Sequence, residues 1–211
     1  MCGAFGYTKE RGKAHFEKRF MLERFPEHDW HSYNIRPTQE SYVIVRKSPN
    51  KAIKLQFGIP APWDEKHLLI NAQSETVAEK RSFAKMFRES RCLVVADVFY
   101  EWKRLSDGKQ PYAFSLKNDE VFSFAGIHND EGFIILTTKP NALMEDVHNR
   151  MPVILHPVDE DVWLNPDTEM EHLQNTFRPY PAQEMKRWAI SSLVSKSSNN
   201  FPEILKPVRE I

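Results

Sequence analysis

Three segments of this 211-residue chain hold side chains suited to bond making and proton transfer. Cys2 follows the initiator methionine, and Cys followed by Gly3 suits an aminopeptidase that removes Met1 before a small residue. Removal would leave a thiol and a free α-amine on one residue. The α-amino pKa is roughly 7.7–8.0, so a useful fraction is neutral and nucleophilic at pH 7. With an aldehyde, such a 1,2-aminothiol forms a Schiff base that the thiol closes to a five-membered thiazolidine. Alternatively the thiol attacks a carbonyl with the amine as base. The bland alternative is a small residue at a frayed terminus. Glu101, within Phe99-Tyr100-Glu101-Trp102, is a carboxylate between aromatic rings, a setting that raises a carboxyl pKa and suits proton transfer. In an alternating strand it shares a face with Phe99, which fits a cavity wall or else a solvent-facing sheet edge. His148, in His148-Asn149-Arg150-Met151-Pro152, carries the side chain best matched to proton shuttling near neutrality, though a lone His is often structural.

Two polar segments flank apolar runs: Asn34-Ile35-Arg36-Pro37-Thr38-Gln39 and Asn71-Ala72-Gln73-Ser74-Glu75-Thr76. Asn71 and Glu75 precede an expected helix, whose free N–H groups favour an anion such as phosphate; ordinary turn and cap chemistry explains them equally. His28 and His31 have no further ligand nearby in sequence, so no metal site is expected.

The elements that must position these residues read as α+β. Strands are expected over 41–47, 52–57, 92–101, 111–116, 121–127, 132–138, 152–155 and 186–191 from β-branched and aromatic runs. Turn residues at 106–108, 117–119 and 129–132 separate four of them at hairpin spacing and predict an antiparallel meander from about residue 92 to 138. Helices are expected over 13–24, where Phe16, Phe20 and Met21 share a face, and after a Thr76–Glu79 capping box. Short helices are expected over 141–147 and after a second capping box at Thr168–Glu171. Ile59-Pro60-Ala61-Pro62-Trp63 reads as an irregular loop. The expected fold is one domain over 1–211: a strongly bent, barrel-like, mostly antiparallel sheet with helices outside.

Composition narrows the class. Lys+Arg and Asp+Glu are 29 each, 27% of residues are charged and 41% are hydrophobic, which excludes a disordered chain. No stretch of ~18 apolar residues predicts a membrane span, and no apolar leader is evident. Two cysteines are too few for a disulfide framework, so a cytoplasmic protein is expected. Residues 1–60 hold eleven basic against six acidic residues, a surplus that would suit a phosphate backbone or simple surface solvation.

Met1-Cys2-Gly3-Ala4-Phe5, the Asn34–Gln39 and Asn71–Thr76 segments, Phe99–Trp102 and His148–Leu155 together, in this order, resemble the SOS-response-associated peptidase (SRAP) family of abasic-site processing proteins. The resemblance runs from Cys2 to the Asn200–Leu205 tail. It implies single-stranded DNA containing abasic sites as partner, a monomer without cofactor, and a thiazolidine between Cys2 and the ring-opened sugar. It also implies that Asn71 orients the sugar, that Glu101 and His148 move protons, and that self-removal of Met1 underlies the word peptidase. Bound DNA would draw the protein to the nucleoid. A basic groove with aromatic residues such as Trp63 and Trp102 would suit a single strand. The chain departs from the family in having Ala4 and Gln73 where arginines are usual. Arg36, where small residues are usual, and Arg81, at a basic family position, would compensate. Phe57-Gly58-Ile59 replaces Trp-Gly-Leu, and Val98 replaces a Gly. Two readings compete: a class-II glutamine amidotransferase, which also starts Met-Cys-Gly, and a non-catalytic single-strand binder.

Overall fold

The computed structural model describes residues 2–8, 12–23, 31–46 and 51–210. Among them are β1 (Phe5–Tyr7), α1 (Lys13–Arg19), β2 (Ser32–Ile35), β3 (Glu40–Val45), β4 (Ala52–Gln56), β5 (Ile59–Ala61), β6 (Asp64–Leu69) and β7 (Asn71–Gln73). There follow α2 (Arg81–Glu89), β8 (Arg91–Ala96), β9 (Val98–Leu105), β10 (Gly108–Leu116), β11 (Phe122–His128) and β12 (Phe133–Thr138). The chain ends with β13 (Met151–Pro152), β14 (Ile154–Leu155), α3 (Pro157–Leu164), α4 (Met170–Asn175) and β15 (Met185–Ala189). One sheet has the order β15-β10-β9-β1-β2. The other runs β13-β12-β11-β8-β3-β4, with β7 also on β12 and β14 on β11, and β5–β6 is a separate ribbon. The sheets are bent and mostly antiparallel, as expected, but do not close into a barrel.

Apolar faces of the two sheets meet in a phenylalanine core. Phe99 stacks on Phe114 at 5.0 Å within one sheet, and Phe5 and Phe99 meet Phe124 of the other at 5.8 and 5.9 Å. Each ring withdraws a large apolar area from water and adds edge contacts to its neighbours. Asp97 makes the change of sheet. The expected strand 92–101 is two strands broken at this residue, because every side chain from 91 to 100 is buried and alternation cannot mark a break. The buried Asp97 Oδ2 accepts from Thr8 N at 2.9 Å and Thr8 Oγ1 at 2.7 Å, and Asp97 N donates to Gly6 O. That corner carries the chain from β8 to β9 and sets Glu101 at the edge of the core.

Several local expectations are corrected. Pro60 lies in β5 rather than an irregular loop; a two-stranded ribbon leaves one edge unpaired, where a missing N–H costs nothing. Gly58, at φ +102°, turns the chain into that ribbon, a conformation that disfavours any side chain. Residues 76–79 form turns, and α2 begins at Arg81 without a side-chain cap. Thr168 Oγ1 donates to Val162 O rather than capping α4, and 141–147 forms turns closed by Asn141 Oδ1 accepting from Leu143 N and Met144 N. Helix α1 stops at Arg19 instead of running to 24; residues 20–23 are non-helical, and residue 24 lies outside the described residues.

Helices α2 and α3 pack on the second sheet through Phe83, Phe87 and Trp163. Their C-terminal carbonyls converge on one buried cation. Arg91 donates to Phe87 O, Arg88 O, Trp163 O and Asn165 O at 2.6–3.2 Å, so a single guanidinium caps both helix ends. Arg19 likewise ties α1 to α3 by a two-pronged bond to the buried Glu160, which also accepts from Ser123 Oγ. Among the described residues no helix is long and apolar enough to cross a membrane.

Candidate active site

Cys2 sits just before β1, where the chain continues alongside β9 through Tyr100 N donating to Ala4 O at 3.0 Å. It is fully buried. Its carbonyl accepts from Asn71 Nδ2 at 3.2 Å, and the same amide donates to Ile135 O at 3.2 Å. Two carbonyl acceptors fix which end of the Asn71 amide is nitrogen. Among the described residues the buried Asn71 Oδ1 has no hydrogen-bond partner. Such an oxygen is costly and ready for an incoming donor, such as an amine or a sugar hydroxyl. Asn71 reaches this position because β7 adds to β12 in parallel, setting Asn71 beside Ile135.

Glu101 lies on β9 opposite Tyr112 of β10 and is 4% exposed. Two residues after the core ring Phe99, it occupies the core-facing side of its strand. Its charge reaches the Cys2 thiol. Burial drives that thiol far above its ordinary pKa, Glu101 pushes the same way, and the Arg36 guanidinium opposes both. The thiol is therefore protonated at neutral pH. Exchanging Glu101 for Gln removes the negative charge that raises it alongside burial. The alkylation of Cys2 by iodoacetamide, followed at the peptide level so that Cys92 is distinguished, should then shift its pH midpoint downward. An unchanged midpoint would show that burial alone holds the proton.

His148 follows the 141–147 turns. Its ring Nδ1 accepts from Arg150 N at 3.0 Å, which fixes the neutral tautomer with the proton on Nε2. Clamps on either side hold this segment. Arg150 makes a two-pronged bond to Glu75 at 2.8 and 2.7 Å and donates to Thr137 O. That bond holds the Glu75 carboxyl below its usual range. On the other side Asp146 accepts from Arg187 of β15 and from Lys103 of β9, the latter at 2.8 Å. Lys103 stands two residues beyond Glu101, and the Arg187 guanidinium lies over Tyr112, the cross-strand neighbour of Glu101. The clamps thus bind the His148 segment to the strands that carry Glu101. Asn71 is hydrogen-bonded to Cys2, the Glu101 charge is felt at the Cys2 thiol, and Asp146 ties the His148 segment to the strand that carries Glu101.

Arg187, then Lys103, hold the Asp146 carboxyl down to about 2. The folded value lies below the ordinary one, so the clamp is complete above pH 3.8 and is lost as pH falls through about 2. Asp146→Asn should leave the fold intact, since the pair is exposed. It should release the His148 segment and slow any reaction that uses it by about tenfold, because small misplacements of a catalytic group are costly. A rate equal to wild type in a single-turnover assay would remove Asp146 from the account. Neither Asp146 nor Arg150 was singled out from sequence; the signal available was their nearness to His148.

The cationic and aromatic candidates spread more widely. Arg36 is half-buried, donates to Asn34 Oδ1 and Val194 O, and stacks over Trp102 at 4.9 Å. Burial lowers its pKa. With Trp102, Lys109 and Ser195 it lines a hollow of about 370 Å³, and its charge is felt at Cys2. Gln73 is exposed at the end of β7, paired with Thr137 and so next to the Arg150 clamp. Arg81 is exposed in the first turn of α2, and Trp63 is exposed at the tip of the β5–β6 ribbon that leans on α2. No contact joins Trp63 or Arg81 to the Cys2 group among the interactions described above.

Two bent, mostly antiparallel sheets carry Cys2, Asn71 and Glu101, and residues 1–197 match the SOS response associated peptidase (SRAP) family, to which the chain belongs. It is 42% identical over 224 residues to the abasic site processing protein YoqW of Bacillus subtilis, covering 98% of this chain and 99% of that one. It is 40% identical over 223 residues to YoaM of the same organism, also named an abasic site processing protein, covering 97% of each. A crystal structure of a protein from Bacteroides thetaiotaomicron superposes with a TM-score of 0.75 at 25% identity, covering 84% of this chain and 85% of the other.

Proposed function

We propose that the protein processes abasic sites in single-stranded DNA, capturing the sugar aldehyde on Cys2 after Met1 is removed. The observation that carries this reading is the buried thiol of Cys2 beside the Glu101 carboxylate, with Asn71 holding the Cys2 carbonyl. The names of the relatives support the substrate.

The state of the thiol sets the order of bond making. A thiol kept protonated is a poor first nucleophile, whereas the α-amine is partly neutral at pH 7. The amine therefore adds first to C1′ of the open sugar, giving a carbinolamine that loses one water to an iminium. The thiol then adds to the same carbon, its proton passing to a nearby base, while the iminium nitrogen returns to a neutral amine. One C–N and one C–S bond form and one water leaves. A hemiacetal must open before this begins, and the dehydration needs an acid. The Glu101 carboxylate would take the hemiacetal hydroxyl proton and return it to the departing water, while the Nε2–H of His148 donates a hydrogen bond to that oxygen. Asn71 Oδ1 receives the amine or a sugar hydroxyl. The same acid/base pair would assist self-removal of Met1 and reversal of the adduct by a lyase-type path.

Arg36, Gln73, Arg81 and Trp63, with Trp102, would contact the strand as a monomeric protein meets it in the cytoplasm. Phosphates would meet the cations, and bases would stack on the indoles. Family membership removes the case for a glutamine amidotransferase. Glu101→Gln separates capture from mere binding: adduct formation on an abasic oligonucleotide should slow by about 10²-fold or more, while affinity for the undamaged strand is unchanged. Equal loss of both would reassign Glu101 to structure.

A further inference from the structure

Beyond the Cys2 group, a strongly cationic hollow of about 410 Å³ lies among the ends of α2, α3, β3 and β11. Arg46, Arg88 and Arg91 line it, with His128 and a single carboxylate, Glu89. Among the described residues none of the three arginines has an ion-pair partner. All four of Arg91's acceptors are neutral carbonyls, although the residue is 6% exposed. Arg46 donates to Asn165 Oδ1, while the Asn165 carbonyl accepts from Arg91, so one residue holds two like charges close together. Their repulsion is felt at Arg91, whose pKa is lowered first by burial and then by Arg46. The helix C-termini offset part of this charge, but their partial negative ends are already taken up by Arg91 itself.

The size is that of a small-ligand site, and the lining suits anion recognition: three guanidiniums against one carboxylate. Arg46 and Arg88 are exposed, Arg46 exchanging its neutral Asn165 acceptor for an incoming anion, whereas Arg91 forms the fixed floor. The hollow is also separate from the candidate active site. Arg91 begins β8 and His128 ends β11, whereas Thr137 and Arg150 lie where β12 ends, at the opposite end of these antiparallel strands.

We propose that this hollow is a second anion site, which binds a phosphate group either free in solution or carried on a DNA strand. The proposal does not depend on Cys2 chemistry. Inorganic phosphate would be titrated into the full-length protein at constant ionic strength, with chloride as the control, while backbone amide resonances are followed. Phosphate should move the amides of Ser90, Arg91 and Asn165, and the Arg46→Ala/Arg88→Ala double variant should weaken that binding by tenfold or more. Both side chains are exposed, so the variant should keep the wild-type far-ultraviolet spectrum. A second arm measures an undamaged oligonucleotide against salt. If the source is the strand, the double variant should reduce the slope of log affinity on log salt by about 2, one for each lost phosphate contact. An unchanged slope with phosphate binding intact in the wild type identifies a free anion as the ligand. Phosphate shifts that match chloride, or that persist in the double variant, would overturn the site.

Discussion

Cys2→Ala should abolish the heat-stable adduct with abasic single-stranded DNA. Alanine at position 2 is small enough for an aminopeptidase to remove Met1, so the variant expressed with that enzyme keeps an α-amine in the same place. The amine can still form an imine with the sugar aldehyde, but no sulfur is present to close the ring, and an imine in water hydrolyses. The variant should therefore give no adduct on a denaturing gel, yet give one when borohydride is added during the reaction. That pair of results distinguishes loss of ring closure from loss of binding or folding. Folding should survive, because truncating a buried thiol removes little volume and costs about 1 kcal/mol. Asn71 would still hold the position-2 carbonyl, since that bond uses backbone oxygen. An undiminished adduct without borohydride would put the nucleophile elsewhere.

The second large effect concerns stability. Arg91→Met should destabilise the protein by about 3 kcal/mol or more, since it strands buried carbonyls that one cation now satisfies. For a chain of this size that lowers the melting midpoint by roughly 6–12 °C. Methionine fills much of the same volume, so the loss reports hydrogen bonding and helix-end charge rather than a cavity. Arg91→Lys should recover part of it. A single ammonium keeps the charge near both helix ends but lacks the planar fork that reaches four carbonyls. Thermal and urea unfolding within 0.5 kcal/mol of wild type for Arg91→Met would show that water can replace the guanidinium.

Part of the sheet framework is legible in the sequence because hairpin turns at 106–108 and 129–132 punctuate strongly apolar runs. The expected meander over 92–138 is corrected: at 117–119 the chain crosses from β10 to β11 of the other sheet instead of closing a hairpin. The break at Asp97 is not legible, since a strand buried on both sides carries no alternation; the lone acid inside an apolar run was the available sign. Capping boxes at Thr76 and Thr168 misled because each hydroxyl or backbone is claimed by a contact other than the expected cap, and a four-residue pattern cannot know that. Cys2, Asn71, Glu101 and His148 stand out by chemical type. Their supports do not: the Asp146–Arg187 bond spans 41 residues, and its partners have ordinary surface composition. Arg91 hides for a related reason, as an arginine opening a strand reads as an exposed charge until two helix ends close over it.

The most direct test is the intact mass of the complex formed with a defined abasic oligonucleotide, followed by peptide mapping. The account predicts one covalent species, whose mass equals the chain without Met1 plus the DNA less one water, with the linkage on the N-terminal Cys2. A species that retains methionine, or a linkage mapped to a lysine, would contradict it.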